Sequence, residues 1–303
     1  MTKLTLALDW TPNVNHIGFF VAEQKGYYLD AGLDVTIISP AVDNYQLTPA
    51  KRVELGQADF ALCPMESVLS YRTKNVPFNI KAIAAVFRKD VSAITVLRDS
   101  GIRRPKDLDG KVYASYKARY EDEIVKLMVK NDGGEGDIQL IYPEKLGIWE
   151  NLVGNKSDAT WIFLNWEGIS ALGKGIKLNT FKMADYGVPY SYSPVIIASE
   201  DKLAERNEAY SLFLGATKKG FLEAASNPEG AAKILRDKVA DTDSDINLLE
   251  AIKYSINYFG DVHTWGRMEL RNVQQYLNWI YKHDLESIPV TTDEMVTNEL
   301  LTN

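Results

Sequence analysis

The chain is poor in the residues that build covalent or metal-held sites. Its 303 residues include one cysteine, Cys63, so no internal disulfide and no cysteine-based metal site can form. The three histidines, His16, His263 and His283, stand too far apart for an H-x-x-x-H pair. No apolar run approaches the roughly 20 residues that span a bilayer. Cations are outnumbered, 34 Lys and Arg against 41 Asp and Glu for a net charge of −7, which argues against nucleic acid or an anionic membrane surface as partner. Phosphate-loop, G-x-S-x-G and Cys/His dyad patterns are missing. Met1-Thr2-Lys3 leads straight into an apolar segment with no separate leader-like stretch. That leaves two expectations: a cytoplasmic protein, or an extracytoplasmic one, periplasmic or membrane-anchored, whose leader has been removed.

What the chain does have is aromatic residues, with 16 Tyr and 6 Trp, a supply that suits a flat ligand or a packed core equally. It also has alternation. Leu4–Leu8, Val35–Ile38, Ala58–Leu62 and Phe78–Phe87 read as strands, with helical patterns over Ile17–Lys25, Gln46–Gly56 and Glu66–Thr73 between them. A second set follows: strands at Ser92–Leu97, Val112–Ser115, Ile138–Tyr142 and Ala159–Leu164, a helix at Glu121–Lys130, and a returning strand at Pro194–Ala198. Such alternation implies βαβ units and mainly parallel sheets. Beyond Ser199 long amphipathic helices take over, near Ala209–Ala225, Pro228–Asp237, Ile246–Phe259 and Met268–His283, the second opened by Asn227-Pro228. The reading is an α/β protein of two lobes, residues 1–90 plus 193–303 and residues 91–192, with a hinge, a ligand cleft between them, and the helical C-terminal section packed on lobe 1.

Candidate site residues follow from strand ends, where open α/β sheets bind ligands. The first strand runs into Asp9-Trp10-Thr11-Pro12-Asn13. Asp9 offers a carboxylate to an N–H donor and Trp10 a stacking face to a flat ring, against the alternative of a turn cap and a core indole. Asn13 and His16 either touch the ligand or cap the following helix. Met65 and Ser67 follow the third strand. In the second lobe a strand ends on Asn165-Trp166-Glu167-Gly168; Trp166 and Glu167 mirror the first tip, or are core and a helix-start acid. Tyr116 and Arg119 open a helix where backbone N–H groups attract anions. Tyr190 and Tyr192 lie at the return crossover, facing the cleft or packing the hinge.

Leu8-Asp9-Trp10-Thr11-Pro12-Asn13-Val14-Asn15-His16, Lys25-Gly26-Tyr27-Tyr28, Gly32-Leu33-Asp34-Val35, Gly56-Gln57-Ala58-Asp59-Phe60 and Leu108-Asp109-Gly110-Lys111 together resemble the NMT1/THI5-like family. The resemblance implies the type II periplasmic-binding-protein fold and one of two functions. One is a solute-binding protein of an ABC importer for pyrimidine precursors of thiamine. The other is the hydroxymethylpyrimidine phosphate synthase, which consumes an active-site His and a pyridoxal phosphate. The synthase resemblance requires a Lys for the cofactor and a His four positions on; those positions hold Cys63 and Ser67. Its cysteine-rich run corresponds to Val188–Pro194, without cysteine, and its Gly-rich phosphate loop to Ala114–Tyr120. The expectation is therefore a non-enzymatic binding protein without cofactor, taking formylaminopyrimidine or hydroxymethylpyrimidine and partnered by an ABC permease if extracytoplasmic. The alternatives are a cytoplasmic synthase-like enzyme, or a binder of riboflavin or an alkylsulfonate, the last wanting Arg119 in the cleft.

Overall fold

The structure, a computed structural model, describes residues 1–301. The chain divides into two compact units: residues 1–90, 191–274 and 288 onward form the first, and residues 91–190 with 275–287 the second. This differs from the expected lobes, 1–90 plus 193–303 and 91–192, chiefly at residues 275–287. Residues 275–287 group with the second unit because their side chains are tied there: Tyr276 lies edge-on to Tyr190 with ring centroids 5.9 Å apart, and Glu286 accepts from Arg119 at 2.6 Å and from the Tyr120 hydroxyl at 2.9 Å.

The first unit is built on a five-stranded sheet of β1 (Thr2–Ala7), β2 (Leu33–Ile38), β3 (Phe60–Cys63), β4 (Ile80–Ala85) and, from far along the chain, β10 (Val195–Ser199), in the order β2-β1-β3-β10-β4. β1 pairs in parallel with β2 and β3; β10 runs antiparallel between β3 and β4. Every residue of β3 and β10 is buried, as central strands covered on both faces require. Helices Ile17–Gln24 and Asn207–Ser226 cross closely in this unit. Glycine is required at that crossing: a Cβ on Gly220 would lie 2.0 Å from the Gly18 carbonyl oxygen. Beneath the sheet, Phe60 stacks on Phe213 at 4.1 Å, and Phe213 on Tyr28 at 5.5 Å.

The second unit repeats the pattern with β5 (Ser92–Leu97), β6 (Val112–Ala114), β7 (Gln139–Ile141), β8 (Ala159–Phe163) and β9 (Leu178–Phe181) in the order β7-β6-β8-β5-β9. β6 is parallel to β7 and β8, while β5 is antiparallel to β8 and β9. β9 escaped the sequence reading. It is a four-residue edge strand with polar Asn179 and Thr180 at its centre, and carries no apolar run to find.

The C-terminal helices match the periodicity closely: Asn207–Ser226, Pro228–Arg236, Leu248–Phe259 and Leu270–Lys282. Asn227 caps the second of these by accepting the Gly230 N–H at 3.0 Å. Among the described residues no helix is long and apolar enough to cross a membrane.

Candidate functional site

In the first unit the register places three chain ends side by side at one sheet edge. Ala7 pairs with Ala61 and Val195 with Cys63, so Asp9-Trp10, Cys63-Pro64-Met65 and Tyr192-Ser193-Pro194 adjoin. The Met65 N–H donates to the Tyr192 carbonyl at 3.0 Å. Asp9 stands on this edge just past the end of β1, with 21% of its side chain exposed. One oxygen is held from behind: His16 Nε2 lies 2.8 Å from Asp9 Oδ1. The other ring nitrogen, Nδ1, accepts the Asn13 N–H at 3.2 Å, which places the ring proton on Nε2, pointing at Asp9.

Asn13 is equally engaged. It caps the short helix Val14–His16, its Oδ1 accepting the Asn15 N–H at 2.8 Å, and its Nδ2 donates to the Thr11 carbonyl at 3.1 Å. His16 is fully buried and Asn13 nearly so. The expectation that these two touch a ligand is therefore corrected: their polar atoms orient Asp9 and shape the turn.

Trp10 is half-buried and meets Tyr45 edge-on, centroids 5.5 Å apart. Tyr45 was missed. It follows Asn44, and both adopt left-handed backbone, φ +62° and +53°, a conformation a bulky residue holds only when its surroundings compel it. Burial raises the Tyr45 hydroxyl above its ordinary range. The only hint in sequence was a turn-forming Asn ahead of an aromatic residue.

Behind Asp9 lies the end of β3. Burial, reinforced by the charges of Asp9 and Glu66, pushes the Cys63 thiol far up, against a bond to Ser67. Cys63 thus stays protonated and is a poor nucleophile. Ser67 is half-buried beside it. Met65 is 1% exposed, so it belongs to the core. Tyr192 is also buried, its hydroxyl accepting from the Glu269 N–H at 2.9 Å and from Asn272 Nδ2 at 3.4 Å; it anchors the segment ahead of Leu270 and does not offer its ring tip to a ligand.

In the second unit the sheet edge carries Tyr116 after β6 and Asn165-Trp166-Glu167 after β8. The structure reverses the roles expected of two tryptophans. Trp166 is 4% exposed, whereas Trp161 is half-buried and sits edge-on to Tyr190 at 5.0 Å. Strand alternation is the cause: Thr160 and Ile162 face inward, Trp161 and Phe163 share the other face. Glu167 lies at the start of helix Glu167–Gly173 and accepts the Phe163 N–H at 2.9 Å. Burial and then the carboxylates of Glu167, Glu121 and Glu150 raise the Tyr116 hydroxyl well above its usual range, so this edge is acidic. Arg119, expected to grip an anion, pairs instead with Glu286.

No cluster of His, Cys, Asp and Glu suited to a metal ion occurs among the described residues. The edges offer carboxylates and aromatic faces: acceptors for N–H donors and planes for a flat ring.

The chain is 26% identical to the formylaminopyrimidine-binding protein of Halalkalibacterium halodurans over 97% of this chain and 89% of that protein. It is 24% identical to the 4-amino-5-hydroxymethyl-2-methylpyrimidine phosphate synthase of Legionella pneumophila over 77% of this chain and 73% of that one. Among solved structures it superposes on the periplasmic nitrate-binding protein NrtA of Synechocystis PCC 6803 with a TM-score of 0.75, at 13% identity, covering 99% of this chain and 87% of that one. This likeness shows the fold, the type II periplasmic-binding-protein fold of two α/β lobes. The family described as NMT1/THI5 like matches residues 13–231, and the chain belongs to that family.

Proposed function

We propose that this protein is the solute-binding component of an ABC-type importer and captures an aminopyrimidine of thiamine metabolism, of the formylaminopyrimidine or hydroxymethylpyrimidine kind, without transforming it. The observation that carries the reading is Asp9: a carboxylate at a strand end, pinned at one oxygen by a buried imidazole and still partly exposed beside Trp10 and Tyr45. A fixed carboxylate accepts from an exocyclic amine, and a ligand lacking that amine leaves the acid unmatched, which is the strongest form of discrimination a small site can make. The indole and phenol supply faces for the ring.

The formylaminopyrimidine-binding relative, matched along nearly its whole length, supports the ligand class. The periplasmic neighbour supports an extracytoplasmic location and hence a membrane permease as partner. Within the second unit, Trp161 and Tyr190 are proposed as aromatic candidates for the ring, with Tyr116 and Glu167 as polar ones. The acid-rich edges disfavour an anionic solute such as a sulfonate.

The synthase reading, favoured by relatives such as the Legionella enzyme, is opposed by this chain's own residues. A protonated Cys63 and a Ser67 hydroxyl stand where that resemblance asks for an aldehyde-capturing amine and an imidazole, and neither can replace them. Isothermal calorimetry with aminopyrimidines tests the proposal. Micromolar or tighter binding is expected for at least one, and none is expected for alkanesulfonates or nitrate. Failure across the aminopyrimidine set overturns the ligand assignment.

A further inference from the structure

Asp9 is a carboxylate that no cation neutralises. Among the described residues its one ion-pair partner is His16, 2.8 Å from Oδ1, and that ring carries no charge. Its proton is on Nε2, and Nδ1 accepts the Asn13 N–H at 3.2 Å. A second proton on Nδ1 would set two N–H groups head to head at a fully buried residue. The other neighbours add no positive charge. Tyr45 is a neutral phenol, reached by the charges of both Asp243 and Asp9. Asp43, two residues before it, is matched by Arg52 at 2.6 Å. At the end of β3 Cys63 keeps its proton under the charges of Asp9 and Glu66. Phe20 stands edge-on to His16 at 6.4 Å, and Lys238, over that ring, is paired with Glu23 at 2.7 Å. A partly exposed anion beside two aromatic rings, among further acids, is therefore left for a ligand to match.

We infer that Asp9 selects a cation: the protein holds its heterocycle in the protonated form, the charge shared between a ring nitrogen and the exocyclic amine, and binding draws a proton from solution. The identity of the ring rests on the function proposed above; the preference for positive charge rests on Asp9 and its surroundings. A free 4-aminopyrimidine is a weak base, mostly neutral at neutral pH, and its conjugate acid is an amidinium-like cation. Protonation turns the amine N–H into a charge-assisted donor toward Oδ2, the oxygen His16 does not hold. In a partly desolvated site that attraction exceeds its value in water, so the site raises the proton affinity of the ring it binds. The ring nitrogen is a stronger base than an ordinary carboxylate, which places the proton on the ligand. A neutral ring of the same size gains only the aromatic faces of Trp10 and Tyr45.

The test titrates wild type and Asp9→Asn, each verified as folded by circular dichroism, with 4-amino-5-hydroxymethyl-2-methylpyrimidine. Calorimetry is run at several pH values and in two buffers of different ionisation enthalpy, and the ultraviolet spectrum of the bound ring is compared with that of the free ring in acid and in base. Above the pH at which the free ring loses its proton, wild type is expected to take up about one proton on binding and to lose about tenfold in affinity per pH unit. Its bound ring is expected to show the acid spectrum. Asp9→Asn is expected to bind more weakly, without proton uptake and with an affinity that no longer depends on pH in that range. Binding to wild type without proton uptake, or a bound ring with the neutral spectrum, overturns the inference and leaves the proposed function standing. Proton uptake that survives in Asp9→Asn overturns it too. If no aminopyrimidine binds at any pH, the proposed function fails by itself, and benzamidine against benzamide then decides, since the two share a shape and only the first is a cation. A melting rise given by benzamidine, withheld by benzamide and lost in Asp9→Asn supports the selection of a cation. Equal responses to the two compounds, no response to either, or a benzamidine rise kept in Asp9→Asn overturn it.

Discussion

Asp9 and His16 are joined at 2.8 Å through Nε2, while the opposite nitrogen of the same buried ring accepts the Asn13 N–H. The imidazole is a spacer between a helix cap and a carboxylate. It fixes the tautomer and aims the acid, a second layer of the kind that sets the precision of binding sites.

The two partners are expected to respond differently to mutation. Asp9→Asn keeps the shape and turns an amide donor toward the amine of the ligand, so affinity should fall by about 10–100-fold with little change in melting temperature. His16→Ala leaves the buried Asn13 N–H without an acceptor and Asp9 without its support. It should lose about 1–3 kcal/mol of stability as well as affinity. Calorimetry paired with thermal denaturation reads both. Equal loss of stability in the two variants would show that Asp9 is a structural partner of His16 and no more.

Tyr45 separates binding from folding in the other direction. Its left-handed backbone costs on the order of 1–2 kcal/mol for a residue with a Cβ. Tyr45→Gly removes that strain while deleting the ring beside Trp10. Stability is expected to hold or rise and pyrimidine affinity to drop by about tenfold, the worth of one aromatic contact. Unchanged affinity would exclude Tyr45 from the site.

The tryptophans of the second unit give an opposed pair. Trp166→Ala empties a buried position and should cost about 3–5 kcal/mol in chemical denaturation. Trp161→Ala removes a half-buried ring and its edge contact with Tyr190, and is expected to cost at most about 1.5 kcal/mol while weakening ligand binding. The reverse ranking would restore the assignment made from sequence.

That ranking marks where the sequence stopped being legible. Alternation gave the sheets and their crossovers, because strand and helix periods are local. The position of Asp9 and Trp10 just past a strand end was readable because a strand ending on Asp-Trp-x-Pro has to turn at a sheet edge. The roles of His16, Asn13, Tyr192 and Arg119 were not, because each depends on which polar atom lies opposite, and for Tyr192 and Arg119 that partner lies 77 and 167 residues away. Trp161 and Trp166 share one short segment, and only the phase of β8 against the helices beneath it decides which is buried.

The crossing of helices Ile17–Gln24 and Asn207–Ser226 tests the packing of the first unit. Alanine in place of a helical glycine ordinarily stabilises by about 1 kcal/mol. At Gly220 the added Cβ would meet a backbone carbonyl at 2.0 Å, which cannot move as a side-chain tip can. The clash should win, with Gly220→Ala destabilising by about 1–3 kcal/mol or more. A melting temperature at or above wild type would mean the helices are spaced more widely than the glycines imply.

Glu121, at the turn after β6, supplies a pH dependence of stability. Burial raises its carboxyl above the ordinary 4.5, outweighing the bonds from the Tyr116 N–H, the Tyr113 hydroxyl and the Ala118 N–H. The folded protein therefore keeps this proton to a higher pH than the unfolded chain does. The contribution to stability is fully present below the unfolded value and is lost as pH rises through the folded one. Gln at this position does not titrate, and the other acids of the protein are common to both proteins and cancel. The stability of wild type relative to Glu121→Gln should thus decline from about pH 4 upward, by at most ~1.4 kcal/mol per pH unit, and level off once the carboxyl has ionised. Urea denaturation of the two proteins across that range measures the difference directly. A difference that stays flat, or that grows with pH, would mean the turn holds the ionised acid without penalty, and the donors would then outweigh the burial.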